Sequence, residues 1–459
     1  MSYQATTTTR QALAFYGTII HSLSISNLAI LEAALLIVSP EGKIIHLDSP
    51  VHPDQVKSTI AKFNLSPETC VIRRLSRGEF VCPGFIDTHN HAPQWTQRGM
   101  GRGIPLMTWL QETTFPHEAK FASVEYARKT YASCVSGLLK QGSTTVAYYG
   151  SLHLEATKVL AETCLEKGQR ALVGKCNMNR GSPDFYVEKS SEGSLKETED
   201  FIQFVRQLDP MGDKVKPILT PRFAISCTPD LLAGLGEVAQ RNPDLPVQTH
   251  FNEASDEMRV TKQLFPEFDN EADLYEHFGL LNERSILAHC IFLNDYEIER
   301  VKQLRCGVAH CPVANTTTGT FMAAPILEYL EQGIKVGLGT DSGGGFSTSI
   351  LDVLRQAFIV SNARKMLTDG KNRSLSLAEC FGLATLGGAQ VCSVQDKVGN
   401  FEVGKEFDAL LVSTMDEKYA GKMTPIEDED KAYNIFEKWL MTGDDRNIEK
   451  VYVSGVSVK

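Results

Sequence analysis

The chain contains no C-x-x-C pair, no continuous apolar run of about 18 residues, no dense cluster of Lys or Arg, and no low-complexity or short-period repeat. Each absence removes a class. The eleven cysteines are scattered, and disulfide frameworks belong to short secreted chains, so reduced thiols are expected. Without a long apolar run there is no membrane span. The opening MSYQATTTTRQALAFYG has one Arg and no long apolar core, a poor signal peptide. The closing VSVK matches no retention or peroxisomal signal. A formal net charge of −10 with no basic patch excludes nucleic acid and anionic membranes as partners. A soluble, cytoplasmic protein is the expectation.

What is present is a globular composition, 42% hydrophobic and 22% charged, over 459 residues. That length accommodates one large domain with an appendage. The first 75 or so residues read as short strands, LAFYGTIIHSL and the hairpin-like AALLIVSPEGKIIHL among them. FDALLVST and KVYVSGVSVK give the C-terminus the same texture, and EDEDKAYNIFEKWL between them reads as a solvated surface helix. Between these ends, eight short apolar or β-branched runs alternate with helical segments: FVCPGFIDTHNH, STTVAYYG, RALVGKCNM, KPILTPRFAIS, PVQTHFNE, SILAHC, CGVAHCPVAN and KVGLGTDSG. Apolar runs separated by helices are parallel strands buried on both faces. Eight of them make an α/β fold, a (β/α)₈ TIM barrel. The expected organisation is residues 1–75 and 397–459 as two parts of a small β-sandwich, with 76–396 as the barrel.

Polar residues gather at the C-terminal ends of the runs, where barrel enzymes carry their chemistry. His89 and His91 end the first, Arg222 lies late in the fourth, and His250 with Glu253 ends the fifth. His289 ends the sixth, His310 and Asn315 lie on the seventh, and Asp341 ends the eighth. In a strand of period two, His89 and His91 share a face, roughly 7 Å apart, while Asn90 points away. With His250 and Asp341 they make a shell of three nitrogens and one oxygen that suits zinc, iron or manganese. Asp87 is placed to orient a ligand histidine from behind. Glu253, three residues after His250, is the candidate proton shuttle. His289 is the candidate to hold a hydroxide or steady developing charge, so the expected catalytic residues are Glu253, His289 and Asp341.

The stretches PGFIDTHNHAPQW, TPRFAISC, THFNE, LAHC, AHCPVAN and GLGTDSGGG, in this order, resemble the amidohydrolase superfamily. Within it they are similar to the guanine deaminases of fungi, over nearly the whole chain. The resemblance implies a barrel of the metal-dependent hydrolase type, one zinc ion per chain, and a homodimer. It implies hydrolysis of guanine to xanthine and ammonia by a hydroxide activated on the metal, with Glu253 moving the protons. It also implies that Gln94, Trp95, Arg222 and Phe223 bind the purine. The alternative is a relative acting on another aminated heterocycle, a pterin, triazine, 8-oxoguanine or adenine derivative. Asn252, Ala254, Ala314 and Ser342 depart from the residues usual in these deaminases. No lysine stands at the end of strand four to bridge two metals; Lys216 lies near its start and Lys175 on strand three. H-x-E with P-C-x-x-C, the mark of the cytidine-type zinc deaminases, is missing. HEAKF at 117–121 lacks the second histidine of a metalloprotease helix.

Overall fold

The computed structural model of the chain describes residues 10–318, 322–414 and 424–459. Five strands open it: β1 (Ala12–Ser24), β2 (Asn27–Val38), β3 (Ile44–Asp48), β4 (Cys70–Arg74) and β5 (Glu79–Pro83). Ten follow in the middle: β6 (Phe85–His91), β7 (Ser143–Tyr149), β8 (Arg170–Gly174), β9 (Cys176–Asn177), β10 (Val215–Pro217), β11 (Thr220–Pro221), β12 (Val247–Phe251), β13 (Ser285–His289), β14 (Gly307–His310) and β15 (Lys335–Leu338). The last are β16 (Ala409–Ser413), β17 (Ile448–Val453) and β18 (Val456–Ser457).

Both ends of the chain meet in one eight-stranded sheet, ordered β18-β17-β16-β5-β1-β2-β3, with β4 on β1. One apolar cluster joins Phe15 and Leu36 to Phe407, Leu411 and Tyr452. A second, on alternate residues such as Ala14, Leu35 and Ile37, packs on the helix Val56–Ala61 through Val56 and Ile60. Period-two alternation thus feeds two separate cores. The first predicted run divides: Glu79–Pro83 pairs with β1 and β16, and only Phe85–His91 joins the middle strands. The segment EDEDKAYNIFEKWL also differs from a solvated helix. The helix is Ala432–Thr442, and Ile435, Phe436, Trp439 and Leu440 are buried along it. Trp439 meets the ring of Phe80 at 5.3 Å.

All eight apolar runs contain a parallel strand. They form two four-stranded sheets, β10-β8-β7-β6 and β12-β13-β14-β15, with β9 paired to β11. The third and fourth runs are each cut in two where they approach closely: a Cβ on Gly174 would lie 1.8 Å from Thr220 Oγ1. On one side a parallel bridge, Leu219 to Val247, joins the sheets. On the other, Thr88 Oγ1 donates to Leu338 O at 2.9 Å and Asp341 N–H to His89 O at 2.9 Å. Ile86, Ala147, Leu172, Ile218, Ile286 and Ala309, drawn from both sheets, pack as one cluster. Helices follow the strands and start on side-chain caps, Ser123 to Tyr126 N–H and Ser190 to Gly193 N–H among them. Among the described residues no helix is long and apolar enough to cross a membrane.

Burial also sets a pH response. Buried His310 has its pKa lowered by desolvation to about 3, with the neighbouring His289 adding to the effect. An unfolded histidine takes up its proton near pH 6.5, so below that pH the unfolded state binds more protons. Stability therefore falls on acidification from 6.5 toward 3, by about 1.4 kcal/mol per pH unit for this group. Melting curves between pH 7 and 5 should fall less steeply for His310→Gln than for the parent. Equal slopes would remove His310 as a cause.

Candidate metal centre and substrate pocket

The strand ends carry their side chains to one place. His89, His91, His250, His289 and Asp341 are all buried. His289 and Asp341 leave their strands with φ of 72° and 54°, the left-handed region. Non-glycine residues pay for this conformation with about 1–3 kcal/mol of strain, which is typical where a functional side chain must be aimed.

The donor atoms of His89, His250, His289 and Asp341 lie within 4.8 Å of one another. His91 stands against the same group: its Nε2 is 3.0 Å from His250 Nε2 and 3.4 Å from Asp341 Oδ1. His89 Nε2 is 3.1 Å from Asp341 Oδ1. Ligand atoms at the corners of a tetrahedron with bonds of about 2.0–2.1 Å stand about 3.3–3.4 Å apart. The three observed separations are close to that edge length. The tautomers agree. His250 Nδ1 is 2.6 Å from Arg222 O; a carbonyl only accepts, so Nδ1 carries the proton and Nε2 is bare. His289 Nδ1 likewise contacts Asn315 Oδ1 at 2.8 Å, leaving its Nε2 without a hydrogen-bond donor. Burial first, and neighbouring charge second, hold the pKa of His89, His91 and His250 well below 6.5, so the imidazoles stay neutral. Neutral nitrogens beside a carboxylate, sealed from water, fit a divalent cation.

Glu253 is buried against this cluster, with Oε2 at 3.6 Å from His289 Nε2. Desolvation, followed by the charge of Asp341, pushes its pKa well above 4.5. A cavity of about 20 Å³ opens between Glu253, His91, Gln94, Arg222, Phe223 and Asp341. A larger cavity, about 870 Å³, lies elsewhere, lined by residues such as Arg284, Lys302 and Lys335 at the opposite ends of the strands. Size does not locate the chemistry here.

The substrate side differs from expectation in three respects. Trp95 does not face the pocket: its Nε1–H donates to Ser133 Oγ at 3.1 Å and its ring lies 3.4 Å from the Arg98 guanidinium. Ala92–Gln94 is a 3₁₀ turn, in which successive side chains diverge by roughly 120°, so Gln94 and Trp95 cannot both look inward. Asp87 touches no imidazole. Its carboxylate accepts from Thr340 Oγ1 at 2.6 Å, Asn90 Nδ2 at 2.9 Å, Thr340 N at 3.0 Å and His89 N at 3.3 Å. Asp87 thus ties β6 to the segment that carries Asp341. Asn90 can reach it because the pairing of β6 with β7 is irregular between Asp87 and Asn90.

The third difference is Glu118, which the spacing does not single out. It accepts from Arg222 Nη1 at 2.7 Å and Nη2 at 3.1 Å, from Gln94 Nε2 at 2.9 Å and from Tyr186 OH at 2.7 Å. A bidentate Arg–carboxylate pair is directional, so one buried acid fixes both Arg222 and Gln94. Gln94 Oε1 has no hydrogen-bond partner. Lys175 pairs with Glu188 and Glu197 and takes no part in the centre.

The chain belongs to the amidohydrolase family, whose sequence profile matches residues 80–458. It is 42% identical over 96% of its length to a probable guanine deaminase of Schizosaccharomyces pombe, covering 82% of that protein. It is 39% identical over 97% of its length to the guanine deaminase of Mus musculus, covering 96% of it. Among solved structures, the guanine deaminase of C. acetobutylicum with guanine bound in its active site superposes with a TM-score of 0.87. That protein is 33% identical, and the match covers 98% of this chain and all of the other.

Proposed function

We infer that the protein is a guanine aminohydrolase, converting guanine and water to xanthine and ammonia. His89, His91, His250 and Asp341 would hold one zinc ion. The carrying observation is the shared cavity: Glu253, Arg222 and Gln94 face the same space as His91, His250 and Asp341. When bound, such an ion lowers the pKa of its water from 15.7 to about 7 and so supplies hydroxide at neutral pH.

The residues of the chain do the rest. Guanine bears its amine on C2, next to N3, the unprotonated ring nitrogen. Oxygen adds to C2 as a proton reaches N3; the C2–N bond then breaks as the amine accepts another. Glu253 takes the two water protons in turn and delivers one to N3 and one to the amine, so atoms and charge balance with ammonia leaving. His289, its Nδ1–H fixed on Asn315, keeps Nε2 beside Glu253 to steady the proton in transit. Arg222 keeps free N–H donors for O6 or N7, and Gln94 Oε1 accepts a ring N–H. Phe223 walls the pocket. Buried groups of this kind reject rings that leave them unpaired.

The test is ammonia release across guanine, adenine, 8-oxoguanine, isoxanthopterin and ammeline, with metal content measured on the same sample. Guanine should lead, at one zinc per chain; faster turnover of another ring would overturn the substrate. Arg222→Ala should keep its metal and lose about 100-fold in kcat/KM for guanine, since hydrogen bonds to charged groups contribute about 1.5–3 kcal/mol. An unchanged kcat/KM would remove Arg222 from recognition.

The same reading closes the eight parallel strands into a (β/α)₈ barrel over residues 76–396. The bonds from β15 to β6 and from Leu219 to Val247 support it. Residues 1–75 and 397–459 then supply the two parts of the terminal β unit, whose one eight-stranded sheet also takes in β5. A cytoplasmic homodimer is part of the proposal, and light scattering at twice 50.7 kDa would support it.

A further inference from the structure

We propose that Glu257 and Glu271 form a proton relay from the substrate pocket to a separate outer cavity, a role that rests on the deaminase reading above. Glu257, on the helix Ser255–Leu264, is 2% exposed and lines the pocket beside Glu253. Its carboxyl meets the carboxyl of Glu271 and the backbone N–H groups of Ala254 and Glu253. Two carboxyl groups can bond only by holding a proton between them.

Glu271 is the far end of that pair. It is 3% exposed and, with Glu297, Thr261 and Asn294, lines a second cavity of about 80 Å³. The pair therefore spans the wall between two cavities. It is held rigidly. Asn252 N–H donates to Glu271 Oε2 at 2.9 Å and Asn252 Nδ2 to Glu297 Oε1 at 2.8 Å. Thr261 Oγ1 donates to Glu271 Oε1 at 3.1 Å. Asn252, one of the departures from the usual deaminase pattern, sits at φ 45° to make both contacts. Its role is thereby accounted for.

The charged and titratable groups facing Glu257 are Glu253 and Glu271; those facing Glu271 are Glu257, Glu297 and Tyr275. Burial is the first cause raising Glu257, to about 7, a value at which it loads and unloads near neutrality. The chemistry gives the relay a task. The hydrolysis itself is proton-neutral, but an amine that leaves the closed pocket as ammonium takes one further proton from solvent. Glu257 passes its proton to Glu253 and so to the amine, Glu271 reprotonates Glu257, and Glu271 takes a replacement proton from solvent at the outer cavity.

The holoenzyme tests this. Glu257→Gln, which keeps shape and removes the transferable proton, should lower kcat for guanine roughly 10- to 100-fold at unchanged metal content, with KM within a factor of about three. Glu271→Gln should act in the same direction from the outer side. Glu257→Ala should regain kcat severalfold on adding formate, a small acid able to occupy the vacated space, while the parent gains nothing. The relay is overturned by parental kcat in both Gln variants. It is equally overturned by losses that formate does not restore in Glu257→Ala at full metal content, the mark of a structural role. Should the Glu257 variants fail to fold, Glu271→Gln decides alone through its kcat and KM. A parent inactive on guanine would instead sink the functional reading.

Discussion

Glu253→Ala should abolish turnover, with kcat at least about 10²–10⁴-fold below the parent, and still bind one metal per chain. The size follows from one carboxyl serving two proton transfers. His289 Nε2 lies 3.6 Å from its Oε2, and desolvation keeps that imidazole's pKa below 6.5. The stability of the metal-free variant separates this from misfolding. Burial raises the folded pKa of Glu253 well above 4.5. A carboxyl whose folded pKa is raised costs stability as pH climbs above its unfolded value. Glu253→Gln, an uncharged isostere, removes that cost and should melt no lower than the parent at pH 7. Activity would thus be lost without loss of stability, as expected where a site holds strained or poorly solvated groups. A variant within tenfold of parental kcat would end the assignment.

How much of this was legible in the residues depends on how each position is fixed. His89, His91, His250, His289 and Asp341 stand at strand ends, and period two with the rule that barrels work at their C-terminal faces suffices to gather them. Glu118 was not legible. It lies on the four-residue helix Phe115–Glu118, in a connection whose path is set by tertiary packing, and no spacing links it to Arg222, 104 positions on. Trp95, which the resemblance assigns to the purine, turns away because a 3₁₀ turn gives it a different direction from Gln94. Asp87 misled in a related way: its position behind His89 is right, but an irregular strand turns it toward backbone N–H groups and Asn90. Glu257 and Glu271 look in the sequence like ordinary first-turn helix acids. Only burial distinguishes them.

Exchanging His91 and His289 for alanine should give opposite results for the metal, and the contrast decides which histidine completes the centre. Both lie against His250: ring centroids are 5.0 Å apart for His91 and 5.4 Å for His289. The group of four with mutually close donor atoms includes His289 in place of His91. Yet His91 has the contacts of a coordination edge, 3.0 Å to His250 and 3.4 Å to Asp341, while His289 Nε2 is turned toward Glu253. His91→Ala should therefore lose most of its zinc after dialysis and fall at least about 1,000-fold in activity, since hydroxide formation at neutral pH depends on the ion. His289→Ala should keep about one zinc per chain and lose kcat alone. Binding a metal to the folded state also stabilises it, so added zinc should raise the melting temperature of His289→Ala and leave that of His91→Ala nearly unmoved. Full zinc in His91→Ala, or an empty His289→Ala, would exchange the two assignments and place the proton-steadying role on His91.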